Sequence, residues 1–575
     1  LGGKTVTKIG SYAFYFLLEI DEVTIPDTVK VIDNYAFYYC ANLKKVTFGN
    51  SVETIGNYAF ARTYVGENIV IPSSVKSIGS SAFIQTLVKN FSVESGNTAY
   101  ISVDGILFSK DKTKIVICPQ QKELTTYTIP NTVTEIEEYC FAYNSKLKEI
   151  IIPDSVKEIK DAAFMMTSSL EKVTMGNNVE KIGSQAFTSS IFTTINIPAK
   201  LTDISEEAFI KCMKLQNIAV SAQNSTYTSV DGILLSKDKK TIKLFPTGRT
   251  GTYTIPSTVT AIGANAFLDA QITGITIPQS VTSLGDWCFG RTLLTSVIIP
   301  ESVTTMGFGP FNDCEELTTV QVNSSCDLPY SMFAGCSKLA NVKLNDNIKN
   351  FDSRVFYNNT SLTQITLPAN LETMSYAFLG CTNLDKVVIP SKVTYIVAGA
   401  FEDNTIVDIS NTKLKKLDNG AYAAVNSAYV NGTFDYNKAY EVLGLVNQER
   451  AKLGRTALKM DEEILDDAML RAVETSVLFE HTRTDSTSCF SINSKISAEN
   501  IAAGSTTASA VMNQWMNSAG HKSNILGPSW KSIGIGCFNV NGIYYWVQCF
   551  SSSTANEPQA KPSNVTKTQE IDIMD

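Results

Sequence analysis

The sequence predicts a multidomain chain, a β-rich solenoid of stacked repeats followed by a smaller α+β domain. Three observations carry that prediction. Phenylalanine recurs at intervals of 22 or 23 residues, an I-x-I-P stretch recurs with it, and after Phe401 both give way to helical spacing and one hairpin pattern. At 575 residues the chain is too long for a single core. Its 44% hydrophobic and 18% charged residues place it among folded rather than disordered proteins.

The phenylalanines stand at 14, 37, 60, 83, 141, 164, 187, 209, 267, 289, 311, 333, 356, 378 and 401, and only two gaps of 58 residues break the rhythm. LKEIIIPDSVKEIKDAAFMM (147–166) and LTSVIIPESVTTMGFGPFND (294–313) show the unit. Alternation before the proline gives a short strand with two side chains inward and one outward. Proline ends it, having no N–H to offer a ladder. The V-x-x-I that follows buries a second short segment, and Ala-Phe inserts a small and a large side chain into the stack. One unit cannot cover its own apolar face, so neighbours must stack on it. The pattern resembles the BspA-like branch of the leucine-rich repeats, found mainly on surface and secreted proteins of bacteria and some protozoan parasites. The resemblance sets a solenoid domain at 1–415.

Near-identical inserts fill the two gaps, YISVDGILFSKDKTKIVICP (100–119) and YTSVDGILLSKDKKTIKLFP (227–246). Asp104-Gly105 and Asp231-Gly232 are hairpin-turn dipeptides, so both inserts, at about 91–125 and 217–250, are expected to be β-hairpins projecting from the solenoid. The outward position of each main strand carries Thr47, Thr174, Thr254, Thr276 and Thr366 among others, a threonine-rich and nearly uncharged row. Such a face offers no acid–base chemistry and admits a host or cell-surface protein or a glycan as partner. Cys40, Cys212, Cys314, Cys336 and Cys381 each follow a repeat phenylalanine by three residues, and Cys140 and Cys288 replace the alanine before it. These positions predict small buried thiols rather than disulfides.

After the repeat decays, a linker is expected at 416–434 and a second domain at 435–552. Asp435 and Asp461 are placed to cap helices with the apolar stripes Ala439, Val442, Leu443, Val446 and Leu465, Ala468, Met469, Ala472, and Gly454 can end the first. TTASAVMNQWMNSAGH (506–521) predicts a third helix, and Asn541-Gly542 the turn of a closing hairpin. In this stretch LVNQERAKLG, FEHTRTD, AENIAAG, WMNSAGHKSNIL and YYWVQCF occur in the order found in the CAP superfamily (cysteine-rich secretory proteins, antigen 5, pathogenesis-related proteins), also called the SCP domain. The resemblance is closest to its bacterial branch and implies an α-β-α sandwich and an extracellular, secreted or surface-associated protein.

Both histidines of the chain lie here. The family's cleft is lined by two histidines and two acids; His481, Glu499 and His521 match three of these, while Ser518 stands where the second acid is expected. The resemblance makes His481 and His521, with Glu499, candidate ligands for Zn2+ or another divalent metal, Glu499 serving as third ligand or as base to a bound water. The alternative is a polar network that only holds the cleft loops. No nucleophile signature appears, so catalytic residues are unassigned and a metal-dependent hydrolase stands second to a binding protein. Family precedent adds lipid or sterol as cleft ligands, and a third reading makes the solenoid a spacer for this domain. Among Cys489, Cys537 and Cys549, Cys537 faces position 546 across the hairpin, leaving either a bridge from Cys489 or three reduced thiols.

A net charge of −8 with no long basic run excludes nucleic acid and anionic membrane surfaces as partners. No apolar stretch is long enough to cross a bilayer. The opening LGGKTVTKIGSYAF has no signal-peptide pattern, so a mature or trimmed chain is expected, and the polar stretch 553–575 is expected to be a flexible tail.

Overall fold

The computed structural model describes residues 5–66, 68–417 and 420–574. Residues 1–4 of the expected solenoid and its opening stretch, residue 67, residues 418 and 419 of the expected linker, and the final residue of the expected tail lie outside the described residues. Two compact units emerge. One holds Leu1–Asn370, Tyr376–Val387 and Phe401–Ile406; the other holds Leu371–Ser375, Val388–Ala400 and Val407–Asp575.

In the first unit a regular turn contributes two short parallel strands. The segment before the proline forms one, as where Glu149–Ile151 pairs with Lys172–Thr174. The V-x-x-I segment forms the other, as where Glu158–Ile159 pairs with Lys181–Ile182. Ile150 and Ile159 are buried, whereas the outward Thr47, Thr174, Thr254, Thr276 and Thr366 are exposed. The phenylalanine rings of successive turns stack, with centroids 5.1 Å apart for Phe37–Phe60 and 5.0 Å for Phe141–Phe164.

Most of these rings sit in a tight turn flanked by left-handed residues two positions before and after, as Tyr35 and Tyr39 flank Phe37 and Ala162 and Met166 flank Phe164. That conformation costs a non-glycine residue about 1–2 kcal/mol. Hydrogen bonds to the next turn offset it: the Tyr35, Phe37 and Tyr39 N–H groups donate to the Asn57, Ala59 and Ala61 carbonyls at 3.0, 2.8 and 3.0 Å. The cysteines obey the same geometry. All twelve are free, and Cys40, Cys212, Cys314, Cys336 and Cys381 each donate a thiol hydrogen bond to the previous turn's phenylalanine carbonyl, at 2.9–3.2 Å.

The inserts are not projecting hairpins. Tyr100–Val103, Ile106–Ser109 and Lys114–Ile117 form an antiparallel triplet whose third strand pairs in parallel with Glu135–Ile136 of the next turn. The second insert repeats this with Tyr227–Val230, Ile233–Ser236 and Thr241–Leu244. Leu107 and Val116 pack into the core that begins at Ile25, while Ile106, Phe108 and Ile115 pack into the next core, which extends to Leu244. The first insert is thus a wall shared by two cores. A continuous apolar run such as Ile-Leu-Phe marks a strand buried on both faces, which the turn dipeptides alone do not reveal.

In the second unit the expected linker is largely strand, and so is the second half of the expected tail. Tyr422–Phe434 pairs antiparallel with Val565–Met574 through ten residue pairs, from Val425 opposite Met574 to Phe434 opposite Val565. Much of this ribbon is exposed, so it shows none of the apolar alternation that marks a half-buried strand. The sheet continues through Ser532–Val540 and Ile543–Ser551 to Ala498–Ala503. Four helices cover it: α1 (Tyr436–Ala451), α2 (Glu462–Val477), α3 (Ala508–Met516) and α4 (Ala519–Ile525). α2 lies on one face and the others on the opposite face, an α-β-α sandwich. Asp435 and Asp461 cap α1 and α2 by accepting from the Lys438 and Ile464 N–H groups, both at 3.1 Å. The single helix expected over 506–521 is two, divided at Asn517–Ser518. Cys537 faces Trp546, and Cys489, Cys537 and Cys549 are all buried and unbridged.

Two glycines set how closely α2 approaches the sheet. A Cβ at Gly536 would lie 1.9 Å from the Ala468 carbonyl oxygen, and one at Gly534 2.1 Å from that of Ile464. Backbone cannot yield as a side-chain tip can, so Gly536→Ala must push α2 outward. It is expected to lower stability by about 1–3 kcal/mol or more, read from the urea midpoint of the full chain.

Candidate functional site

The close seat of α2 delivers a charged side chain into the interior. Arg471 is fully buried, on the flank of the Ala468–Ala472 stripe. Its guanidinium reaches Glu499, on the Ala498–Ala503 strand, through Nε to Oε1 at 2.8 Å and Nη2 to Oε2 at 3.3 Å. The remaining nitrogen donates to Glu474 Oε2 at 2.7 Å, and Nη2 also to the Glu480 carbonyl at 3.1 Å. Glu474 in turn accepts from Arg483, and Arg483 faces Asp485, which pairs with Lys415. Charges alternate in sign from Lys415 to Glu499. A buried carboxylate requires such partners, because its desolvation alone costs several kcal/mol.

His481 closes the series at the surface. Its Nδ1 lies 2.9 Å from Glu499 Oε2, and its side chain is 55% exposed. Burial pushes the Glu499 carboxyl up, but the His481 hydrogen bond and the Arg471 charge outweigh it and hold the group below its ordinary range. An ionised carboxylate only accepts, so Nδ1 of His481 is the donor, and in the neutral ring the lone pair lies on Nε2. Cys489, in the short Cys489–Ile492 turn, brings its Sγ into the same group: one donor atom each from His481, Cys489 and Glu499 lie within 4.8 Å of one another. Burial, with the Glu499 charge beside it, pushes the Cys489 thiol up to about 12, so it stays protonated and is no nucleophile at neutral pH.

His521, in α4, is half-buried. Burial, and then the charge of His481, hold it below its ordinary value. Its Nδ1 is buried without a hydrogen-bond partner, while its carbonyl accepts from Asn500 Nδ2 at 3.1 Å. Ser518, at the start of α4, makes no side-chain capping bond. The structure therefore joins His481 directly to Glu499, sets His521 nearby, and supplies no acid at Ser518. Arg471, Glu474 and Cys489 were not legible as site residues. Arg471 and Glu474 at i, i+3 beside an apolar stripe were the available signal, but their partner Glu499 lies on a separate strand.

The donor set fits a cation only in part. Both Glu499 oxygens already accept from Arg471 and His481, and a metal on them would sit beside a buried guanidinium. Glu499 fits the role of the carboxylate that orients a ligating histidine rather than that of a ligand. The free nitrogen of His481 and the unpartnered Nδ1 of His521 do fit imidazole ligation.

These features define a two-part chain, a repeat solenoid and an α-β-α module that holds both histidines. The profile of the BspA type leucine rich repeat region matches residues 3–114, 117–230, 244–328 and 326–428, and that of the cysteine-rich secretory protein family (CAP) matches 443–550. The chain belongs to the BspA-type leucine-rich-repeat proteins and carries a CAP domain at its C-terminal end. A leucine-rich repeat protein from Eubacterium ventriosum is similar to 56% of this chain over 98% of its own, at 27% identity and a TM-score of 0.50. A leucine rich cell surface protein from Faecalibacterium prausnitzii shares 26% identity over 66% of this chain and 82% of its own, with a TM-score of 0.37. The uncharacterized protein YkwD of Bacillus subtilis is 36% identical over 122 residues, 20% of this chain; the chain spans 47% of that relative's length. Among the described residues no helix is long and apolar enough to cross a membrane.

Arg471→Met leaves Glu474 and Glu499 buried without their shared partner and is expected to cost about 3–5 kcal/mol, measured by chemical unfolding. Acid should act on the same network. For Asp485, as for Glu499, burial raises the carboxyl but partners, led by Lys415, bring it below its ordinary value. Their stabilisation is complete above the ordinary values of 3.8 and 4.5 and is lost as pH falls through the lower folded ones. The melting temperature is expected to hold from neutral pH to about 5 and to fall steeply below about 4.

Proposed function

We propose that this protein is an extracellular binding protein, in which the solenoid recognises a surface partner and the CAP cleft holds a ligand through His481 and His521. One observation carries the choice of binding over hydrolysis: Glu499, the carboxylate nearest the imidazoles, has its oxygens committed to Arg471 and His481. A general base needs an accessible lone pair near the reacting proton and a pKa near the working pH, and Glu499 has neither. The protonated Cys489 thiol adds no nucleophile. What the cleft offers is lone pairs: Nε2 of His481, oriented from behind by Glu499, and Nδ1 of His521. Bound there, a divalent ion such as Zn2+ would supply a Lewis-acidic point for an anionic or carbonyl ligand group. The secretory family of the C-terminal domain supports the extracellular assignment.

Calorimetric titration of the full chain with Zn2+ is expected to show one site, weakened at least about tenfold by His481→Ala and by His521→Ala, both residues with solvent contact whose loss spares the core. Turnover of ester, peptide or glycan substrates by the Zn2+-loaded chain, abolished by the same substitutions, would overturn the binding assignment.

A further inference from the structure

The short-strand sheet of the solenoid is interrupted twice, and each interruption leaves a cleft. At the first, the strand Ser77–Ile78 ends a four-stranded sheet, and the next sheet begins with Tyr100–Val103 of the insert. The Ile78 N–H donates to the Tyr100 hydroxyl at 2.9 Å, where a further backbone strand would otherwise accept it. Beside this contact opens a cavity of about 440 Å³ lined by Lys76, Ser80, Tyr100, Lys114, Glu137 and Glu138. At the second, the sheet ends at Asp203–Ile204, and the Tyr227 hydroxyl donates to the Thr202 carbonyl at 3.2 Å. The cavity there is about 400 Å³ and is lined by Asp203, Ser205, Glu206, Tyr227 and Lys243. The two clefts occupy equivalent places in the fold, with different charged residues around them. Tyr100 and Tyr227 open the two inserts, and Ser80 and Glu206 each stand two residues after the buried isoleucine of the interrupted strand.

The lining selects a chemical class. Each cleft combines carboxylates, ammonium groups and hydroxyls, while its tyrosine packs on the core, Tyr227 being buried and Tyr100 half-buried. In the first cleft the charges are largely cancelled among neighbours: Lys114 lies 2.7 Å from Glu135 and 3.4 Å from Glu137, Lys76 lies 2.8 Å from Glu53, and Ser80 donates to Glu138 at 3.3 Å. An ion gains little from such a lining. A hydroxyl, which donates and accepts at once, can satisfy carboxylates and ammonium groups alike, and a sugar carries several of them. Both volumes fall in the range of small-ligand sites. We propose that the two clefts are paired subsites for an uncharged glycan. The sheet between them has seven strands, which at about 4.8 Å per step sets the clefts on the order of 30 Å apart along one sheet. A single polysaccharide chain spans that distance, so two weak subsites act together.

The proposal rests on the solenoid being the recognition part of the protein, and its failure leaves the His481–His521 cleft untouched. The test is calorimetry on the full chain with soluble β-glucan, α-mannan and galactan and with their tetrasaccharides, which are too short to bridge the clefts. One of the three is expected to bind, its tetrasaccharide at two sites per chain and the polymer at least about tenfold tighter. Glu138→Ala and Glu206→Ala, each at its own cleft, should each remove one of the two tetrasaccharide sites and most of the gain from length. Ser80→Trp and Ser205→Trp, which fill the clefts, should do the same while circular dichroism stays unchanged. Failure of all three glycans to bind, binding only of charged polymers that high salt abolishes, retention of extended peptides instead, or binding indifferent to the Glu138→Ala/Glu206→Ala double variant would each overturn it.

Discussion

The solenoid depends on the hydrogen bonds that run from one phenylalanine turn to the next. Most such turns hold two residues in a left-handed conformation, and most of these residues are not glycine: Tyr35, Tyr39, Tyr58, Arg62, Met166 and Trp287 are examples. An isolated turn would relax at once. Stacked turns cannot, because each strained residue flanks a backbone group already committed to the neighbouring turn, and the ring it surrounds is pinned between two others. Stability in this part of the chain is therefore a property of pairs of turns, with no turn stable on its own.

The second unit is organised by a different constraint, a guanidinium placed where water cannot reach. Arg471 holds two carboxylates at once, and one of them, Glu499, steers His481. The stabilising network and the exposed imidazole thus share one carboxylate. Anything that moves α2, including a methyl group at Gly536, changes the orientation of the imidazole that faces solvent. The same sharing limits the chemistry. A carboxylate that neutralises a buried arginine is not free to take up protons during a reaction.

The periodic parts of this structure could be read from the sequence because periodicity reports burial. The phenylalanine ladder, the inward and outward strand positions, the Asp435 and Asp461 caps, and Cys537 opposite Trp546 all follow from local pattern. What could not be read lacks a local pattern. The Tyr422–Phe434 and Val565–Met574 strands form a ribbon with much of its surface in water, so neither shows alternation, and their pairing joins residues 131 to 149 positions apart. The inserts carry turn dipeptides that mark hairpins truly, but the burial of both faces depends on the cores on either side. For the candidate site, motif order singled out His481, Glu499 and His521, of which His481 and Glu499 are in contact, whereas Arg471 looked like an ordinary charged residue on the flank of an amphipathic helix.

The walls made by the inserts have a mechanical consequence. A plain stack of repeats can peel from either end one turn at a time, each loss exposing the next ring. Leu107 and Val116 belong to one oily compartment and Ile106, Phe108 and Ile115 to its neighbour, so the antiparallel triplet between them works as a bulkhead. Peeling that reaches it must rupture a sheet gripped from both sides. Under tension, a chain divided in this way gives up length in blocks with resting points between them, and damage at one end stays local.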